Sequence, residues 1–246
     1  MNENATQISS VLSSRTSEQP LLRVEFVSKR YSTASGAVDA LNEVSLDVRS
    51  GDFVALTGLS GSGKTTLLNI FGLLDIPSSG SYMVGGTVTN TLSQSQRAQI
   101  RKENFGFVFQ HFNLLDRYTV LQNIELAMMY RKTSAKATRS LALDLLSQLG
   151  LSAKAGVRPH QLSGGQAQRI AIARALIHNP RVILADEPTG NLDPAAAQEI
   201  TDLLKTLNKK GTTVVMVTHS ADVARVASTH VTMNAGQIVS LENLRA

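Results

Sequence analysis

The chain has 246 residues, 42% of them apolar and 17% charged, and no cysteine. That supports a full α/β core and excludes a disordered chain, disulfides and thiolate metal sites. The net charge of +5 is spread in small groups and aromatics are only 4%, so a base-stacking nucleic-acid surface is disfavoured against work beside an anionic membrane.

Met1 to Pro20 is polar and lacks the basic start and apolar block of a signal peptide, so it is expected to be a disordered leader before a domain spanning residues 21–246. Leu22 to Val27 and Val44 to Val48 alternate as strands, and Phe53 to Thr57 is a buried strand. A helix starts near Gly63 with Leu67, Leu68, Ile70 and Phe71 on its apolar face, and Pro77 to Gly80 is expected to turn. Ser93 to Lys102 reads as helix and Phe105 to Phe109 as strand. Thr119 to Gly150 reads as mostly helical, with Gly150 as a C-cap. Helix from Gly165 to about Ile177, strand Arg181 to Asp186, helix Pro194 to Asn208, strand Thr213 to Val217 and helix Ser220 to Ala227 follow. A hairpin around Asn234-Ala235-Gly236 closes the domain. Strands alternating with helices imply a largely parallel sheet with crossover helices, interrupted by a helical insert at about 110–161. No run approaches the ~18 apolar residues of a membrane span.

Gly58-Leu59-Ser60-Gly61-Ser62-Gly63-Lys64-Thr65 fits G-x-x-x-x-G-K-[ST] between a buried strand and an amphipathic helix, the context that motif needs. Its glycines let backbone N–H groups face phosphates, Lys64 reaches the β- and γ-phosphates, and Thr65 offers a hydroxyl to Mg²⁺. Val182 to Ala185 is an apolar run delivering Asp186 and Glu187 to a sheet edge. There Asp186 is a metal-holding candidate and Glu187 a general base, the alternative being a helix N-cap.

His219 at a strand end reaches a γ-phosphate, orients the base, or is structural. Gln110 ligates Mg²⁺ through its amide oxygen at a hinge, or opens a loop. Tyr31 stacks on adenine or is an exposed turn tyrosine. Ser163, Gly164 and Gly165, within Leu162 to Gln166, make either an anion site at a helix N-terminus or an N-capped tight turn.

In this order the motifs resemble the ATP-binding subunit of ATP-binding-cassette (ABC) transporters, over about Leu21 to Val239. The resemblance implies an α/β P-loop NTPase (RecA-like) core with an antiparallel β subdomain and an inserted α-helical subdomain. It implies a nucleotide site of Tyr31, Val38, Gly58, Leu59, Ser60, Gly61, Ser62, Gly63, Lys64, Thr65, Thr66 and Gln110. To these it adds the signature Ser163, Gly164, Gly165 and Gln166, and Asp193 of the D-loop Asn191-Leu192-Asp193. Glu187, His219 and Lys64 are implied as catalytic, and Thr65, Gln110 and Asp186 as metal-facing. ATP and Mg²⁺ are the implied cofactors, and the implied reaction is hydrolysis of ATP to ADP and phosphate.

Asn104 to Gln110, Asn113-Leu114-Leu115 and Ala185 to Asp193 are similar to the macrolide-exporter and lipoprotein-release group (MacB-, LolD- and FtsE-like). That group implies a homodimer on the cytoplasmic side of a membrane, driving a separate integral membrane permease of the MacB, LolC/E or FtsX kind. It also implies a periplasmic or extracellular adaptor and no nucleic acid. Ala167 departs from the charged or amide residue usual after the signature, which is expected to weaken a polar contact at the helix start and to leave Ser163 to Gln166 intact. An importer ATPase shares every motif. A soluble ABC ATPase on nucleic acid and a small-molecule kinase are the readings from other classes.

Overall fold

The structure is a computed structural model that describes residues 19–33 and 36–244. The expected leader, Gln19 and Pro20 apart, lies outside the described residues.

Two sheets carry the fold. β1 (Leu22–Thr33) and β2 (Gly36–Val48) pair antiparallel from Leu22↔Val48 to Thr33↔Gly36. They extend beyond the alternating cores of sequence because each ladder bond supports the next. β3 (Phe53–Gly58) leads into α1 (Lys64–Phe71), and then the chain departs from the expected turn. Ser79 and Gly80 already belong to β4 (Ser79–Val84), which pairs with β1 and continues into β5 (Thr87–Val88). The signal at Pro77 to Gly80 is turn-like, but Tyr82 and Val84 beyond it are buried, and Tyr82 donates its hydroxyl to Phe71 O at 2.5 Å. Burial of two large side chains outweighs local turn propensity. The first sheet thus runs β2-β1-β4-β5.

α2 (Gln94–Asn104), capped by a reciprocal Ser93/Gln96 box, leads to β6 (Phe105–Phe109). The expected long helix is broken into α3 (Val120–Glu125), a 3₁₀ turn at Leu126–Met128 and α4 (Ala135–Gln148), which Ser134 caps. Then come α5 (Gly164–Leu176), β7 (Val182–Asp186), α6 (Pro194–Lys209), β8 (Thr213–Val217), α7 (Ala221–Ala224), β9 (Thr229–Asn234) and β10 (Gln237–Asn243). α7 is shorter than the expected Ser220 to Ala227.

The second sheet has order β10-β9-β3-β8-β7-β6, parallel except for β10. Period-two alternation splits its residues between two cores. Val54, Leu56, Val182, Leu184, Val215 and Val217 face α1 and the first sheet. Phe53, Ala55, Ile183, Ala185, Val214 and Met216 face α5 and α6. A third cluster, with Val120, Ile124, Ala142 and Leu146, lies under α3 and α4 and includes Ile170 and Ala173 of α5. Ile172 and Ala175 of the same helix belong to the second cluster, so α5 is shared between two cores. No helix among the described residues is long and apolar enough to cross a membrane.

Candidate functional site

Register places the site. Leu56, Val217, Asp186 and Phe109 are successive Cα partners in one row across β3, β8, β7 and β6. Parallel strands all point the same way, so the residues just past this row leave the sheet at one edge. Those residues are the Gly58 loop, His219, Glu187 and Gln110. Four motifs far apart in sequence therefore meet because four strands end in step.

The loop is shaped by its glycines. Gly58 and Gly63 have φ of 135° and 98°. A Cβ would lie 2.1 Å from Met233 O at Gly58 and 2.4 Å from Ala40 O at Gly63, so no side chain fits either place. Gly63 is the N-cap of α1 and supplies no side-chain acceptor, leaving first-turn N–H groups for an anion. Leu59, Ser60 and Gly61 are exposed at the tip, and Ser62 is buried. Lys64 is buried, and its Nζ donates to Gly58 O at 3.0 Å, Leu59 O at 2.7 Å and Ser62 Oγ at 3.3 Å. Burial lowers its pKa, opposed by the charges of Glu187 and Asp186. Both acids therefore act on the lysine's field.

Thr65 donates its hydroxyl to Asp186 Oδ1 at 3.2 Å, joining the loop to the end of β7. Burial raises the Asp186 pKa, while the Thr65 bond pulls the other way. A hydroxyl beside a carboxylate is a hard-oxygen donor pair, the chemistry that suits Mg²⁺. Glu187 has φ of 46°, a left-handed backbone for a non-glycine residue, fixed by its N–H donating to Val217 O at 3.0 Å. That turn brings Glu187 Oε1 to 2.8 Å from His219 Nε2, with both side chains partly open to solvent.

Gln110 Nε2 donates to Asn191 Oδ1 at 3.2 Å, and Asn191 Nδ2 donates to Gln110 O at 3.2 Å and lies 3.1 Å from His111 Nδ1. This uses the amide donor of Gln110 and leaves its oxygen, the atom a cation needs. Asp193 serves as N-cap of α6, accepting from Ala196 N at 3.0 Å. Ser163 and Gln166 form a capping box on α5, and Ser163 is exposed. A Cβ on Gly164 would lie 3.1 Å from Leu192, and one on Gly165 3.0 Å from Ala196. The signature stretch is therefore packed on the segment that follows Glu187. Ala167 is buried at 5% exposure, so a longer polar side chain has no open solvent there.

Tyr31 and Val38 are Cα partners close to the end of β1 and the start of β2. The Tyr31 hydroxyl donates to Asp75 Oδ2 at 2.6 Å. Lys29 Nζ lies 4.9 Å from the centre of the Tyr31 ring and 2.5 Å from Asp75 Oδ1.

Two residues escape sequence reasoning. Asp75 follows α1 with no motif to mark it. Gln168, fully buried, donates Nε2 to Pro188 O at 2.7 Å and Phe109 O at 3.3 Å, tying α5 to the segments leaving β7 and β6. A glutamine in the apolar run of α5 was the available sign.

Comparison with known proteins gives the same picture. The family profile described as ABC transporter matches residues 41–190. The macrolide export ATP-binding/permease protein MacB 1/2 of Paracoccus denitrificans is 48% identical over 90% of this chain and 33% of its own length. MacB of Brucella abortus is 44% identical over 90% of this chain and 34% of its own. The chain spans about a third of the length of the curated relatives it matches. Among solved structures, the ATP-binding cassette MJ0796, a dimer in a post-hydrolysis state bound to ADP and Pi, superposes with TM-score 0.84 at 42% identity, covering 92% of this chain and 99% of that one. The cbiO1 chain of Clostridium perfringens, part of the transporter complex cbiONQ, gives TM-score 0.81 at 28% identity, covering 92% and 90%.

Proposed function

Because the chain belongs to the ABC transporter family, we propose that it is the ATP-hydrolysing subunit of a transporter of the macrolide-export group, working as a homodimer on the cytoplasmic face of a membrane. The row Leu56–Val217–Asp186–Phe109 carries this reading, because it sets the phosphate loop, an acidic pair, His219 and Gln110 at one sheet edge.

In this reading the loop N–H groups and Lys64 hold the β- and γ-phosphates. Entry of the phosphates replaces the carbonyl partners of Lys64. Thr65, Asp186 and Gln110, through its amide oxygen, are the residues that would hold Mg²⁺. The cation's chemistry is to neutralise charge developing on the transferred phosphoryl group. Glu187 takes the proton of the attacking water, and His219, 2.8 Å away, orients that carboxylate and stabilises the γ-phosphate.

Tyr31 and Val38 form the platform for adenine. Ser163, Gly164, Gly165 and Gln166 of one copy close on the ATP held by the other copy's loop, with Asp193 at the same seam. The exposed Ser163 and the dimeric MJ0796 cassette support this arrangement. Closure carries the helical segment at about 110–161, and with it an integral membrane permease that works with a periplasmic or extracellular adaptor. Identity of 48% to a MacB protein against 28% to cbiO1 favours the macrolide-export branch. Nucleic acid has no part in it.

The test is ATPase activity of the purified chain, alone and with permeases co-purified from its host. Stimulation by a MacB- or FtsX-like membrane protein is the expected result. Stimulation by nucleic acid alone overturns the transporter reading.

A further inference from the structure

Tyr31 is held more tightly than a stacking ring requires. Its hydroxyl reaches out of β1 to the segment that follows α1, where Asp75 accepts from it at 2.6 Å. Asp75 is itself fixed to the far end of that helix, its N–H donating to Asn69 O at 3.3 Å. The same carboxylate receives Lys29 Nζ at 2.5 Å, and Lys29 also donates to Ile76 O at 2.8 Å. The Lys29 and Asp75 side chains are 11% and 22% exposed, so the pair is largely screened from water. Lys29 meanwhile covers one face of the ring at cation–π distance.

We propose that Asp75 is a positioning residue for nucleobase binding. Through the Tyr31 hydroxyl it sets the ring's place relative to α1, whose N-terminus is the phosphate loop, and with Lys29 it leaves one ring face for a purine. This rests on the reading of Tyr31 as the adenine platform. The physical reason is a ruler. A nucleotide has a fixed span from base to γ-phosphate, and a platform on β1 matches it only if β1 and α1 keep a set offset. Asp75 holds that offset, taking the Tyr31 hydroxyl on its carboxylate while its N–H is tied to Asn69 O in α1. The acceptor is a charged carboxylate, which makes this a strong hydrogen bond. Burial, followed by the Asp75 bond, raises the Tyr31 pKa, so the phenol stays protonated and remains a donor at neutral pH. It follows that tyrosine, and not any aromatic residue, is needed at 31.

Steady-state ATP hydrolysis by the full chain, with tripolyphosphate as a competitor that lacks a base, tests the proposal. Tyr31→Phe keeps the ring and removes the hydroxyl, and Asp75→Ala removes its partner. Each is expected to raise KM for ATP about fivefold, the worth of one good hydrogen bond, with the loss in KM and not in kcat. The double variant should match the singles, not their product. Inhibition by tripolyphosphate should not change. Tyr31→Ala is the separate check on the platform. If it leaves KM unchanged, the platform reading fails and the proposal falls with it. If Tyr31→Ala raises KM while Tyr31→Phe and Asp75→Ala do not, the platform stands and the proposal is overturned. If Asp75→Ala weakens ATP and tripolyphosphate equally, Asp75 only supports the loop's structure, and the proposal is again overturned.

Discussion

His219 Nε2 sits 2.8 Å from Glu187 Oε1, and the two residues follow neighbouring strands that end on the Cα partners Val217 and Asp186. The contact is therefore built into the β7–β8 register. Glu187→Gln keeps the shape and loses the base, so turnover should fall at least about 100-fold, as expected for removing a general base. ATP should still bind, and gel filtration should show a nucleotide-dependent dimer. Hydrolysis near the wild-type rate would remove Glu187 from its proposed role.

The proposed exchange of signatures between copies makes a geometric prediction. If each site joins Lys64 of one chain to Ser163 of the other, a mixed dimer of Lys64→Ala with Ser163→Arg concentrates both faults at one site. One ATP should then be retained per dimer. Placing both substitutions in one chain against a wild-type partner damages both sites, and none should be retained. Equal retention in the two mixed dimers would contradict the exchange.

Gly106 lies in β6 against the backbone of α5, where a Cβ would come 2.5 Å from Ala175 O. Backbone cannot yield as a flexible side chain does. Gly106→Ala should cost about 1–3 kcal/mol, the usual penalty of overpacking. A calorimetric Tm lowered by about 3 °C or more would show it. An unchanged Tm would mean that β6 and α5 separate without penalty.

His178 supplies a pH dependence. Burial lowers its imidazole pKa, the contact of Nε2 with Phe105 O at 3.0 Å opposes this, and Arg131 adds to it. The unfolded chain therefore binds the proton first as pH falls. The stabilisation from neutral His178 is complete above about 6.5, the unfolded value. It begins to be lost below that pH and is fully lost under the lower folded pKa. His178→Gln should flatten the fall in Tm between about pH 7.5 and 5.5. A fall as steep as that of the wild type would assign the dependence to other groups.

The glycine-rich loop and the acidic strand end are legible as a pair at one sheet edge because their signals are local: glycines, lysine and threonine in fixed spacing, and an apolar run with acids at its end. The sequence order of strands and helices likewise announced a parallel sheet. Ser79 and Gly80 were misleading because their local preference is for turning, whereas Tyr82 two residues on is held by Phe71 O across the core. Asp75 was invisible for a related reason. Its partner Tyr31 is 44 positions earlier, and no periodicity links an acid after a helix to a phenol on a distant strand. Gln168 reads in sequence as one more polar residue of α5, because its partners Phe109 and Pro188 lie 59 and 20 positions away.

Helix α5 has a mechanical consequence. Ile170 and Ala173 are gripped by the cluster under α3 and α4, and Ile172 and Ala175 by the core beneath the main sheet. Ser163 caps the start of the same rod. A displacement of the α3–α4 side that moved Ile170 and Ala173 would therefore act on the same continuous helix that Ser163 caps.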